Sequence, residues 1–284
     1  MMQEGDILDS LKKIGRKDLA DNIEQFKESQ FQILFEAAAK LKSNLVARLN
    51  EQYRMHEQIM NTINHFYKDE FTGGKGLECG IKNVMDINDY NNGGSRYHGL
   101  LFEPFINPDR HVLWVDVPDY EDKQEIGSTS RTNRAEAEAV ALVIRALKKS
   151  INFDEYYSAQ KSQEDKEIGI ITFYGAQAGL LEEMKRENKL EPSIPYRINV
   201  VDKFQGMERN IVIISTVRNN KDNDFGFTID PRRINVGFSR AKSLLIIVGS
   251  RSFLSKNPDY AKSIQTIGAN KIDLQTLRHL VNNG

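Results

Sequence analysis

The chain has 284 residues, 39% hydrophobic and 28% charged, enough to bury a core beneath a solvated surface. Its 39 Lys and Arg against 40 Asp and Glu leave a formal net charge of −1, so no global basicity points to nucleic acid, although a local basic stripe balanced elsewhere is compatible with it. The single cysteine, Cys79, excludes an internal disulfide and a cysteine-rich zinc site and fits a reducing cytoplasm; no apolar signal core opens the sequence, and no run nears the roughly 20 apolar residues of a membrane span.

Residues 5–50 carry apolar residues at three- and four-residue spacings ("ILDSLKKI", "FQILFEAAAKLKSNLVARL") and are expected to be helical. We divide the chain into a helical lead-in, 1–30, and a domain, 31–284. The helical pattern continues through "LNEQYRMHEQI" and "MHEQIMNTINHFYKDEF" until Gly73-Gly74 stops it. Residues 73–110, rich in Gly, Asn and Pro, form an irregular excursion with room for a short strand.

From residue 111 strands and helices alternate. "HVLWVDV" (111–117), "EIGIITFY" (167–174), "YRINVV" (196–201), "NIVIISTV" (210–217) and "SLLIIVGS" (243–250) are strands, the last being the final one expected. "NRAEAEAVALVIRALKKS" (133–150) and "AQAGLLEEMKRENK" (176–189) are helices, the first capped by Asn133. Apolar runs without alternation belong to strands covered on both faces, so the fold class is α/β with a parallel sheet and helices on both sides, preceded by the N-terminal helical segment. In such sheets functional loops are expected at the carboxyl ends of strands.

The candidate chemistry begins with an absence. "GGKG" (73–76) has Gly76 where a phosphate loop needs Ser or Thr, and it follows a helix instead of a strand. Asp116 ends an apolar strand as a metal ligand would, but Val117 stands where a catalytic Glu would follow, so a strand-end turn is the better reading. Asp202, Gln205 and Glu208 form a polar cluster directly before a core strand, which gains nothing structural from them. "DPRRINVGFSRAK" places Arg232, Arg233 and Arg240 around a helical turn or two; an Arg before a core strand is a brace or a planar donor to phosphate.

Four stretches in order, "LNEQYRMHEQI", "IGIITFYGAQAGLL", "VDKFQGMERNIVIISTVRNN" and "GFTIDPRRINVGFSRAKSLLIIVG", resemble motifs IV, IVa, V and VI of superfamily 1 helicases, in the branch of the nonsense-mediated-decay RNA helicase and its DNA-helicase relatives. "SRTNRAEA" (130–137) resembles a further segment of that branch, and the resemblance covers roughly residues 30–255. It implies the second of two RecA-like domains. The P-loop and the metal-binding Asp-Glu pair would lie on a first domain of the same polypeptide, which would hold most of ATP and Mg2+; this chain would hold no metal itself. It implies that Arg54 and Arg240 are catalytic and reach the γ-phosphate, that Tyr53 packs on the adenine, and that Gln205, Gly206 and Glu208 contact nucleotide. It also implies that Thr172 and Asp202 face single-stranded DNA or RNA and that Gln177 orients the helix following its strand. Val200 departs from the family's Ser or Thr and removes one phosphate donor. The chain is expected to be an ATP-dependent helicase as part of a longer protein, inactive alone, cytoplasmic and without a membrane partner; the alternative is a degenerate RecA-like binding module without turnover.

Overall fold

The computed structural model describes residues 37, 49–68, 74–81, 96–122 and 130–283. The chain divides between Leu49 and Asn50 into two units, the second being Asn50–Gly284. The helical segment expected over residues 5–50 lies outside the described residues but for Ala37, which is helical, and Leu49 and Asn50.

Six parallel strands form the sheet: β3 (Val112–Asp116), β4 (Ile168–Thr172), β5 (Tyr196–Val200), β6 (Arg209–Ser215), β7 (Ala241–Gly249) and β8 (Lys271–Asp273), in the spatial order β5-β4-β6-β7-β3-β8. Strand β6 shows why the sequence requires this. Its successive residues feed opposite faces, Ile211 and Ile213 one core and Val212 and Ile214 the other, so an unbroken apolar run is needed where both faces are covered. The first core lies under α2 (Arg134–Lys149), α3 (Phe153–Ala159), α5 (Gly175–Arg186) and α9 (Leu274–Asn283). The second lies under α1 (Glu57–Ile63), α6 (Pro231–Phe238) and α8 (Pro258–Ile267). The short helices α4 (Gln163–Lys166) and α7 (Arg251–Leu254) precede β4 and follow β7. This is an α/β, RecA-like arrangement.

Local signals set the helix starts. The Asn133 side chain caps α2 by accepting from the Glu136 amide at 3.1 Å, as its sequence position suggests. Helix α6 opens with Asp230, which accepts from the Arg232 amide at 2.9 Å, and with Pro231 at its first position.

Three expectations change. Residues 49–56 are not helical. Glu51–Gln52 (β1) pairs in parallel with Glu78–Cys79 (β2), and α1 starts only at Glu57 with His56 as its cap. The pattern beyond stops sooner than Gly73: a 3-10 turn at Asn64–Phe66 ends it. A strand after "SLLIIVGS" also exists, since β8 joins the sheet beside β3 with only three residues.

"GGKG" (73–76) leads directly into Leu77, and Gly73 lies outside the described residues. The Asn64 side chain grips Leu77, donating to its carbonyl at 3.0 Å and accepting from its amide at 2.7 Å. Asp116 accepts from the Arg251 amide at 2.8 Å, the strand-end contact expected of it.

Candidate functional site

All six strands run the same way, so the sheet has an amino edge and a carboxyl edge, and the residues singled out from sequence divide between them. Glu208 and Arg240 lie immediately before β6 and β7, at the amino edge. The Arg240 amide oxygen accepts from the Arg209 amide at 2.9 Å, which aligns the starts of these two strands. Arg54 joins them from the β1–α1 turn, with its Nε 3.0 Å from the Glu208 carboxylate. The polar cluster around Glu208 thus sits at the amino ends of strands, opposite to the carboxyl ends where Thr172 and Asp202 lie. The reason is topological: the connection from β5 to β6 is eight residues long and returns over the sheet through a 3-10 turn at Val201–Phe204, so its polar end emerges at the start of β6.

Arg240 is held firmly. It is only 8% exposed, and its guanidinium donates to the Val236 carbonyl (3.0 Å), the Met207 carbonyl (3.1 Å) and the Ser239 hydroxyl (3.1 Å). A guanidinium has five N–H groups, so these three bonds leave two without a partner among the described residues. Burial, and after it the charge of Arg54, lowers its pKa against the opposing pull of Glu208. Arg54 is looser, 41% exposed along its side chain. Lys242 adds a third cation, 2.8 Å from Asp165 and 3.9 Å from Glu208. The edge therefore gathers three cations against two carboxylates, Glu208 and Asp165, a surplus of one positive charge suited to an anion.

The Arg54 turn is built by residues that sequence reasoning missed. The Gln52 side chain accepts from the amides of Arg54 and Met55, both at 2.9 Å, and donates to the Met55 carbonyl at 2.9 Å. Arg96 donates to the carbonyls of Arg54 (2.7 Å) and Tyr53 (3.2 Å). Tyr53 is 61% exposed, and its hydroxyl, hydrogen-bonded by Glu51, has a raised pKa. Its ring lies so close to Gly80 that any Cβ there would overlap it. Gln205 and Gly206 are exposed in the turn before Met207, and Gly206 has a φ of +85°, which favours glycine.

Beneath this edge sits a buried histidine cluster. His56 and His111 stack with centroids 3.4 Å apart, and His98 meets His111 edge-on at 4.8 Å. His111 Nδ1 lies 2.6 Å from the Ser243 carbonyl, and the His56 amide donates to the Lys242 carbonyl at 2.8 Å, so the cluster ties the Arg54 segment to β7. Burial drives the pKa of His56 and His98 down to about 3 and that of His111 to about 4.

The carboxyl edge differs. Thr172 ends β4 beside Ser215, fully buried, and its hydroxyl has no hydrogen-bond partner among the described residues. Asp202 is exposed there, 2.8 Å from Arg233. A buried polar network lies behind them, in which Asn133 and Gln177 were singled out from sequence and Glu136 and Ser215 were not. The Gln177 amide accepts from the Asn133 amide (2.9 Å) and donates to the Asn133 carbonyl (3.1 Å) and the Ser215 hydroxyl (3.1 Å). Glu136 accepts from Ser215 (2.7 Å) and the Val217 amide (2.8 Å). Burial raises its pKa to about 7 against the opposing pull of these hydrogen bonds. Gln177 therefore ties the start of α5 to the cap of α2.

Among the described residues no group of three or more His, Cys, Asp or Glu side chains is placed to hold a metal ion, and no helix is long and apolar enough to cross a membrane.

Residues 26–252 match the AAA domain family. The chain is 34% identical over 213 residues to "Regulator of nonsense transcripts 1 homolog" of Drosophila melanogaster, covering 74% of this chain and 16% of that protein. It is 31% identical over 231 residues to "ATP-dependent helicase NAM7" of Saccharomyces cerevisiae, covering 80% of this chain and 21% of that one. It is 30% identical over 220 residues to "DNA polymerase alpha-associated DNA helicase A" of Schizosaccharomyces pombe, covering 76% and 30%. The chain thus spans less than a third of the length of these curated relatives.

Proposed function

Because this chain belongs to the superfamily 1 helicases, in the branch that includes the nonsense-mediated-decay helicases, we propose that it is the C-terminal motor domain of an ATP-dependent nucleic-acid helicase or translocase. The observation that carries this reading is the convergence of Arg54 and Arg240 on Glu208 at one sheet edge, with two Arg240 N–H groups unspent.

Phosphoryl transfer asks little covalent chemistry of a protein and much positive charge placed in advance. Arg240, fixed by three internal bonds, is preorganised to donate to a phosphate oxygen, and half-exposed Arg54 would exchange Glu208 for the same anion. Tyr53 offers its exposed ring to the adenine, and Gln205, Gly206 and Glu208 form the loop against the nucleotide. In this reading a P-loop and an Asp-Glu pair on a first RecA-like domain of the same polypeptide hold most of ATP and Mg2+. The magnesium ion, when bound, neutralises phosphate charge. Thr172, with its orphaned hydroxyl, and exposed Asp202 mark the opposite edge for single-stranded DNA or RNA.

A second reading has its own support. Burial of Arg240 and its bonds to Val236 and Met207 equally describe a brace between α6 and the β5–β6 connection, as a binding module without turnover would retain. Steady-state phosphate release by the two-domain polypeptide separates them. Arg240→Ala is expected to lower turnover by roughly 10³–10⁵, with nucleotide affinity changing far less. The chain alone is expected to release no phosphate above background. A folded Arg240→Ala protein with a lower melting temperature and unchanged turnover per molecule would make Arg240 a brace and take it out of the nucleotide site, whereas no turnover by the wild-type two-domain polypeptide would leave the binding module standing and remove the motor.

A further inference from the structure

An open cavity of about 450 Å³ lies at the carboxyl edge, between the segments that follow β3 and β6 and helix α7. Its walls include Tyr120, Lys221, Asn223, Phe253 and Lys256. Tyr120 is 57% exposed. Lys221 places its ammonium 5.9 Å from the centre of that ring. On the other wall the Lys256 ammonium lies 5.7 Å from the centre of the buried Phe253 ring and 2.5 Å from the Asn223 side-chain oxygen.

Among the acids beside the cavity, Asp119 and Asp222 are exposed and make no salt bridge among the described residues, and the others are paired. Glu121 is taken up by Arg131 (3.4 Å) and Arg218 (3.3 Å), Asp224 by Arg218 (2.7 Å), and Asp122 by Arg134 (3.7 Å). No carboxylate lines the cavity, and neither Lys221 nor Lys256 has a carboxylate partner among the described residues. The result is one exposed aromatic face flanked by two cations free to meet an anion. A nucleotide unit of a single strand has this shape of need: a flat base to stack and a phosphate one bond system away. Free phosphate has no use for the ring, and an aliphatic anion gains little from it.

We propose that Tyr120, Lys221 and Lys256 form a nucleotide-unit subsite for single-stranded nucleic acid, in which the base stacks on Tyr120 and the lysines take the adjoining phosphate. This rests on the nucleic-acid reading above and extends that strand's path along the carboxyl edge, from Asp202 and Thr172 past the end of β6 to the end of β3. The stack tolerates any base, since every base has a π face, so the subsite contributes affinity without sequence preference.

Fluorescence anisotropy at low salt on the full chain tests it, with oligothymidylate, oligouridylate and an abasic strand of equal length as probes. Tyr120→Ala is expected to weaken both base-bearing strands about tenfold and leave the abasic strand unchanged, while Tyr120→Trp restores binding. Lys221→Ala and Lys256→Ala are expected to weaken all three strands and to lower the slope of log affinity against log salt by roughly 0.7 each. Equal binding of base-bearing strands by wild type and Tyr120→Ala would overturn the subsite and leave the nucleic-acid reading intact. Competition by thymidine monophosphate as strong as by the oligonucleotide would overturn it in favour of a mononucleotide pocket, and competition by polyglutamate as strong as by the abasic strand would overturn it in favour of an acidic peptide. Absence of binding by any strand would remove both the subsite and the reading beneath it.

Discussion

The two edges of the sheet carry opposite chemical liabilities. At the amino edge the charges of Arg54, Lys242 and Glu208 are half-exposed or near the surface, and the titratable groups beneath them, His56, His98 and His111, are buried and neutral. At the carboxyl edge Glu136, itself fully buried, sits among amides and hydroxyls with a pKa raised to about 7. A buried base resists acid, and a buried acid resists alkali, so pH strains the two edges in opposite directions. The same sheet supports both because each edge solves its burial problem locally, with carbonyl partners for imidazoles and hydroxyl and amide donors for a carboxyl.

The largest expected effect comes from the histidines. Their ordinary pKa of 6.5 is depressed to about 3, 3 and 4 in the fold, so the unfolded chain binds more protons below 6.5 and stability falls as pH falls through that window. Between about pH 4.5 and 6.5 Glu136 opposes them, because there the folded state binds the extra proton. Three protons less one leaves two, and the unfolding free energy is expected to drop by up to about 2.7 kcal/mol per pH unit from these groups. Urea unfolding across this range measures it, and His98→Leu should reduce the slope by about one proton. A flat profile in the wild-type protein would contradict the neutral cluster.

A smaller effect isolates the other edge. Because the folded pKa of Glu136 is raised from 4.5 to about 7, its stabilisation is full below 4.5 and lost as pH rises toward and through 7. Glu136→Gln removes that loss, so the variant is expected to gain about 3 kcal/mol on the wild type between pH 4.5 and 7.5. Parallel pH profiles for the two proteins would show that Glu136 titrates exposed.

The smallest expected effect sharpens the contrast between function and stability. The Arg54–Glu208 pair is 41% and 44% exposed, so Arg54→Ala should change the unfolding free energy by less than about 1 kcal/mol. Turnover of the two-domain polypeptide should nonetheless fall steeply. A variant with normal turnover would take Arg54 out of the nucleotide site.

The sequence made the sheet legible where burial is two-sided. The runs at 112–116, 168–172 and 209–215 admit little else, and Asn133 before a periodic helix was readable as its cap. Strand β8 was not legible because three residues, only one of them apolar and buried, carry no period. The Arg54 turn read as helix because its neighbours continue a helical pattern; what breaks it is the Gln52 side chain, which replaces helical hydrogen bonds with its own. Glu136 and Glu138 look alike in "RAEAEA", yet one is buried beneath Val217 and the other pairs with Arg278 near solvent. Only partners from distant segments distinguish them, as they distinguish Arg96, whose role depends on carbonyls 42 and 43 residues away. The arginines of the amino edge were legible as a group because motif spacing carries them.

Strand β3 lies between β7 and β8, both made later, and Val112 pairs with Leu245, 245 − 112 = 133 residues downstream. During synthesis at roughly 5–20 residues per second, β3 therefore waits on the order of ten seconds before its hydrogen-bonding partner exists. Strands β4, β5 and β6 can assemble among themselves in that time, because their connections are local. The apolar segment Val112–Val115, with Trp114 at its centre, is meanwhile an unpaired ribbon on a nascent chain. It is a place where a chaperone would act on the nascent chain, and where a slowed ribosome would prolong exposure.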